Sequence, residues 1–149
     1  MTYFSSTLIA VDGSLASDDA LNVACSIAKD RGGKLTACGV VEPQLRLTGR
    51  HVEEAPDSDA QREIFAALRI AAERARAQYG LSIDTTLAHG DPVEAILAEA
   101  QRVAADTIVM GTHGRTGLDR ALVGSVAEGV LRRSTVPVLL VRHSRNQHG

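Results

Sequence analysis

Short apolar runs alternate with stretches of helical spacing along most of this chain. Thr7-Leu8-Ile9-Ala10-Val11 is almost continuously apolar and ends at Asp12-Gly13-Ser14, the pattern of a buried strand entering a loop. From Ser17, the positions Ala20, Leu21, Ala24, Ile27 and Ala28 fall on one helical face, and Arg31-Gly32-Gly33 stops the helix. Leu35 to Val41 predicts a second strand, closed by Glu42-Pro43. A helix beginning at Ser58 or Asp59 repeats Ile64, Leu68, Ala71, Ala72 and Ala75 and ends at Tyr79-Gly80. Ile83 to Ala88 is a weaker third strand whose alternation predicts a less buried side or edge. Asp91-Pro92-Val93-Glu94 carries a cap acceptor, a proline at the first helical position and a glutamate at the third. These residues are assigned to capping, and Ile96, Leu97, Ala100 and Val103 form the inward face of that helix. Thr107 to Met110 is the fourth strand and Val136 to Val141 the fifth, with Pro137 at its beginning, where a missing N–H is tolerated.

Strands separated by helical patterns predict an α/β fold, a parallel sheet covered by helices through right-handed crossovers. Ligands in such sheets lie beyond the carboxyl ends of the strands. Asp12, Val41 to Pro43 and Gly111 all fall at such ends, so one crevice can collect them. Residues 43–57 have charges, glycine, two prolines and little periodicity. They read as a long mobile connection at that end of the sheet, either a lid over a ligand or a variable solvated excursion.

With 149 residues the chain fits one domain, 1–149, ending in a polar tail over 143–149 where His143 and His148 lie. Sixteen basic residues against eighteen acidic ones give a formal charge of -2, which offers no basic field for a nucleic-acid backbone. A core poor in aromatics, with two Phe, two Tyr and no Trp, suits close helix-on-sheet packing and not base stacking. Cys25 and Cys38 lack companions in metal spacing and read as small buried hydrophobes of a reducing compartment. Met1 to Ser6 has no basic start, and no segment approaches the roughly 18 apolar residues of a membrane span. A cytoplasmic protein without membrane insertion is expected.

The chemistry concentrates in Gly111-Thr112-His113-Gly114-Arg115-Thr116-Gly117-Leu118-Asp119-Arg120-Ala121-Leu122-Val123-Gly124-Ser125, directly behind the fourth strand. Gly111 and Gly114 would clear the inner wall of a turn and let N–H groups of residues 112 to 115 approach an anion. Ser125-Val126-Ala127-Glu128 reads as a capping box that opens the next helix, and Gly124 would let the backbone come near. The serine hydroxyl and the first-turn N–H groups would then provide a second donor set. No Gly-Lys-Ser/Thr follows these glycines, and the first strand lacks Gly-x-Gly-x-x-Gly, so neither the P-loop nor the dinucleotide fingerprint fits.

The spacing Gly111-x2-Gly114-x9-Gly124-Ser125, the opening Ile9-Ala10-Val11-Asp12-Gly13-Ser14 and the ending Ser134-Thr135-Val136-Pro137-Val138-Leu139-Leu140-Val141 together resemble the universal stress protein family, over essentially residues 5 to 142. The glycine-serine pattern resembles its nucleotide-binding branch. The resemblance implies a five-stranded parallel sheet in the order 3-2-1-4-5, Rossmann-like and similar to the adenine nucleotide alpha hydrolases, with an ATP site. By position, Asp12 would meet the ribose and the adenine side, and Val40 or Val41 would face adenine. Met110, Gly111, His113 and Gly114 match the strand end and phosphate loop, and Gly124, Ser125 and Val126 the phosphate-binding helix start.

A carboxylate such as Asp12 can accept two sugar O–H groups. Val40 and Val41 act mainly through side-chain packing, with any adenine selectivity from backbone groups. Arg115 or Arg120 would offset nucleotide charge, and His113 would contact the nucleotide or support the loop. A lone histidine without an orienting carboxylate does not make a catalytic base, so no catalytic residue is assigned. No protein metal site is expected; Mg or Mn would arrive on the nucleotide phosphates. The function expected is an ATP-binding stress-response or regulatory protein with little or no turnover, acting on an unidentified protein client. The alternatives are a slow ATPase or phosphate-transfer enzyme, an AMP or cyclic AMP sensor, and a nucleotide-independent chaperone-like dimer. The resemblance also implies a homodimer through antiparallel pairing of Val136 to Val141, with a tetramer left open.

Overall fold

The computed structural model describes residues 2–55, 58–113 and 123–143. In chain order the elements are β1 (Ser6–Ala10), α1 (Leu15–Arg31), β2 (Lys34–Val41), β3 (Gln44–Thr48), β4 (His51–Ala55), α2 (Ser58–Tyr79), β5 (Asp84–His89), α3 (Pro92–Arg102), β6 (Thr107–Gly111), α4 (Ser125–Arg133) and β7 (Val138–Val141). Five of the strands form one sheet in the order β5-β2-β1-β6-β7 with every neighbouring pair parallel. Counting only these strands, the order is the expected 3-2-1-4-5.

Continuous apolar sequence goes to the middle of the sheet. Leu8, Ile9, Ile108 and Val109 are wholly buried, because β1 and β6 have neighbours on both edges and helices on both faces. Successive side chains point to opposite faces, which splits the interior into two clusters. Ile9, Val11, Ala37, Val41 and Val109 meet α1 and α2 on one side. Leu8, Cys38, Ile108 and Met110 meet α3 and α4 on the other. The alternating segment becomes β5, an edge strand none of whose residues is fully buried.

One helix start lies ahead of its expected place and one follows its sequence signal. Ser14 caps α1, its hydroxyl accepting the Ser17 N–H at 3.2 Å, so the helix begins two residues before Ser17. Asp91 caps α3 through the Glu94 N–H at 3.0 Å, with Pro92 in the first turn.

Two expectations are corrected. Within 43–57, read as a long connection with little periodicity, residues 44–55 form an antiparallel hairpin, Gln44 facing Ala55 and Thr48 facing His51 across a Gly49-Arg50 turn. Leu45, Leu47 and Val52 share one face of it and are exposed. The expected cap at Ser125 is also displaced by one residue. Gly124 is the cap, Ser125 is the first helical residue, and no side chain among the described residues caps α4. Gly124 is held there because its N–H donates to the Thr112 carbonyl at 2.6 Å while its own carbonyl accepts the Glu128 N–H at 2.9 Å. Glu128, which a capping box would turn back on the helix start, instead pairs with Arg132 at 2.7 Å.

Candidate functional site

In a doubly covered parallel sheet each strand feeds a helix, so helix N-termini gather at the carboxyl edge. The cavity of about 540 Å³ lies there, with residues from the first turns of α1 (Ser17), α2 (Ala60), α3 (Pro92) and α4 (Ser125) in its wall. The partial positive charge of helix starts makes such a place favourable for an anion.

Of the residues named from sequence, Asp12, Val40, Val41, Met110, Gly111, His113, Gly124, Ser125 and Val126 all line this cavity. Gly114 and Arg115 lie outside the described residues, as does Arg120. Ser14, Ser17, Cys38, Gln44, Pro92 and Ile96 also line it, although none of them is a site residue in the reading from sequence. A signal existed for some of them: Ser14 and Pro92 stand at helix starts, and every helix start in this topology faces the same edge.

Asp12 sits in a tight turn between β1 and α1. Its Oδ1 accepts the Ser14 N–H at 2.9 Å, and its own N–H donates to Ser17 Oγ at 3.2 Å. The carboxylate is therefore fixed by its neighbours, with capacity left for donors from the cavity. Val41 is 3% exposed and packs among α1 and α2 residues, while Val40 packs on the opposite side. The Val41 carbonyl accepts the Gly90 N–H at 3.0 Å, so that acceptor is already engaged within the fold.

Gly111 and Gly124 have packing reasons for lacking a side chain. A Cβ on Gly111 would stand 2.7 Å from Ala16 Cβ and 2.8 Å from the Ala16 carbonyl carbon, so this glycine lets α1 lie against the end of β6. A Cβ on Gly124 would stand 3.0 Å from the Thr112 carbonyl oxygen. Both glycines draw helix starts toward the cavity.

His113 Nδ1 lies 3.2 Å from Thr112 Oγ1, and its Nε2 is buried without a hydrogen-bond partner among the described residues. No carboxylate orients the ring among those residues, so it has no acid-base partner there. Burial pushes the Cys38 thiol, in the cavity wall, up to about 11, and that of Cys25 likewise, so neither is a ready nucleophile. Among the described residues no group of three or more His, Cys, Asp and Glu could hold a metal ion. No helix among them is long and apolar enough to cross a membrane.

The sequence model of the universal stress protein family matches residues 4–142. The chain belongs to the universal stress protein family. A universal stress protein of Methanocaldococcus jannaschii is 34% identical over 146 residues, covering 97% of this chain and 85% of the relative. Universal stress protein YxiE of Bacillus subtilis is 34% identical over 148 residues, covering 93% and 99%. Among solved structures, a universal stress protein in complex with cAMP is 31% identical with a TM-score of 0.72, covering 96% of this chain and 100% of that one. The universal stress protein of Archaeoglobus fulgidus in complex with dAMP is 25% identical with a TM-score of 0.68, covering 95% and 99%.

Proposed function

We propose that this universal stress protein is an adenine-nucleotide-binding regulatory protein whose preferred ligand is an adenosine monophosphate, open or cyclic, bound with little or no turnover. The observation that carries this reading is the pairing, in one cavity, of a fixed carboxylate at Asp12 with a helix start at α4 that has no side-chain cap among the described residues. Asp12 would accept sugar hydroxyls. The Ser125 hydroxyl and the first-turn N–H groups of α4 would hold a phosphate.

The resemblance first suggested ATP. The ligands of the two similar solved proteins, cAMP and dAMP, carry one phosphate each, and one phosphate matches the donor set of Ser125 and the α4 start. A competition titration of cAMP, AMP, ADP and ATP tests the reading. AMP or cAMP is expected to bind more tightly than ATP, with no dependence on added Mg. Tighter binding of ATP would overturn the monophosphate preference, and no binding of any of the four at millimolar concentration would overturn the nucleotide reading itself.

The regulatory output would travel through the hairpin. Pro43 and Gln44 line the cavity at its base, and Leu45, Leu47 and Val52 are exposed along it. A ligand with different affinity for two hairpin positions shifts their populations and so changes what a protein client meets. Hydrogen exchange in residues 44–55 that is the same with and without saturating AMP would defeat this route. The half-buried edge strand β7 supports a homodimer through antiparallel pairing, and a monomeric mass at all concentrations would remove it.

A further inference from the structure

The turn that carries Asp12 is tied by a closed set of hydrogen bonds. The Ser14 N–H donates to Asp12 Oδ1 at 2.9 Å, the Ser17 N–H donates to Ser14 Oγ at 3.2 Å, and the Asp12 N–H donates to Ser17 Oγ at 3.2 Å. Ser17 Oγ also donates to the Ala10 carbonyl at 3.5 Å. One hydroxyl in the first turn of α1 thus clamps the chain on both sides of Val11, at the last residue of β1 and at Asp12. Ser17 is 3% exposed and borders the cavity.

Helix capping alone does not need this hydroxyl. The Ser14 oxygen already satisfies the Ser17 N–H, and the Asp18 N–H bonds to the Ser14 carbonyl at 3.0 Å. What Ser17 Oγ adds is the angle at which Asp12 leaves the strand. A carboxylate accepting hydroxyl protons depends on its direction, since such bonds weaken steeply as they bend. We infer that Ser17 is a positioning residue that aims the Asp12 carboxylate at the sugar hydroxyls of the nucleotide, an inference that rests on the adenine-nucleotide reading above.

The test compares AMP with 2′,3′-dideoxy-AMP, which lacks both hydroxyls, by isothermal titration of the wild type, Ser17→Ala and Ser17→Thr. The wild type is expected to prefer AMP by about tenfold or more, the size of a hydrogen bond to a charged group. Ser17→Ala should shrink the preference to roughly threefold or less through weaker AMP binding, with dideoxy-AMP affinity little changed. Ser17→Thr keeps the hydroxyl and should keep the preference. Ser14→Ala opens the same ring from its other side and should move the preference in the same direction; it decides the matter if Ser17→Ala does not fold.

Equal weakening of both ligands by Ser17→Ala would reduce Ser17 to a fold-stabilising residue and overturn the inference. An unchanged preference, or Ser17→Thr losing it as fully as Ser17→Ala, would overturn it as well. A wild type that binds both ligands equally would overturn the inference while leaving nucleotide binding intact. A wild type that binds neither would overturn the proposed function first.

Discussion

The starts of α1 and α4 are built from opposite solutions to one problem. Both helices begin at the carboxyl edge of the sheet, beside the end of β6, and both have residues in the cavity wall. At α1 the donors are consumed at home: Ser14 takes the Ser17 N–H, and Asp12 takes the Ser14 N–H. At α4 the cap is Gly124, with no side-chain acceptor among the described residues. The self-satisfied start holds a carboxylate still. The α4 start has no such acceptor among the described residues, and α3 sides with α1, since Asp91 caps it. Under the proposed function, two helix ends of the same sheet would thus divide into a positioning end and an anion-receiving end.

The largest effect is expected where the two starts are drawn together. Gly111→Ala places a methyl 2.8 Å from the backbone of Ala16, so the first turn of α1 must lift off the sheet. Urea unfolding should show a loss of about 1–3 kcal/mol, the usual cost of overpacking. AMP affinity should fall with it, because Asp12 travels with α1. Among the described residues, Gly124→Ala comes no nearer than 3.0 Å to any atom, the Thr112 carbonyl oxygen, and should cost less. If Gly124→Ala proved the more damaging of the two, the close packing of α1 on β6 would not be what sets this edge of the site.

Most of this architecture is legible in the sequence for a physical reason. Buried parallel strands must be apolar, and helices on a sheet must repeat at 3.6, so Leu8 to Ala10, Ile108 to Met110 and the Ile64-Leu68-Ala71-Ala75 stripe declare themselves. The hairpin did not, because its apolar residues Leu45, Leu47 and Val52 have no core to face. Its signal is local, the alternation Gln44-Leu45-Arg46-Leu47-Thr48 followed by a Gly49-Arg50 turn. The α4 start departs from its sequence signal by one residue, since Ser-x-x-Glu spells a capping box. The tertiary bond from the Gly124 N–H to Thr112, which has no signature in sequence, holds the cap at the glycine. Gly111 shows a related gap: its place after a strand was readable, but the neighbour that forbids its Cβ, Ala16, is distant in sequence.

The contrast sharpens with a charge placed at the open end. In Ser125→Glu a carboxylate replaces the hydroxyl at the first helical position of α4. Binding of AMP should drop roughly tenfold or more, the loss of a charge-assisted hydrogen bond compounded by repulsion. The melting temperature should not fall, because an acidic residue at a helix start is favourable. Retained affinity would place the phosphate elsewhere.

Removing the cap from the closed end tests the other half. Ser14→Ala takes away the acceptor of the Ser17 N–H and should lower stability by about 1 kcal/mol. Asp91→Ala should cost a similar amount at α3, but without altering the choice between AMP and dideoxy-AMP, since Asp91 takes no part in the turn around Asp12. A change in that choice on Asp91→Ala would mean that cap loss in general, and not this turn, governs sugar recognition.

The smallest effect is the most discriminating. Leu15 occupies in α1 the position that Ser125 occupies in α4, the residue after the cap, yet Leu15 is 64% exposed and does not line the cavity. Leu15→Glu adds a negative charge to a helix start and should raise stability by about 0.3–1 kcal/mol through the helix dipole. If the phosphate sits at α4, this charge acts on it only across solvent, where screening is strong, and AMP affinity should change by less than about twofold at physiological salt. The same substitution at equivalent helical positions would then give opposite binding results and similar stability results. Equal losses of affinity from Leu15→Glu and Ser125→Glu would mean that the cavity responds to net charge alone, and the division between a positioning end and an anion-receiving end would fail.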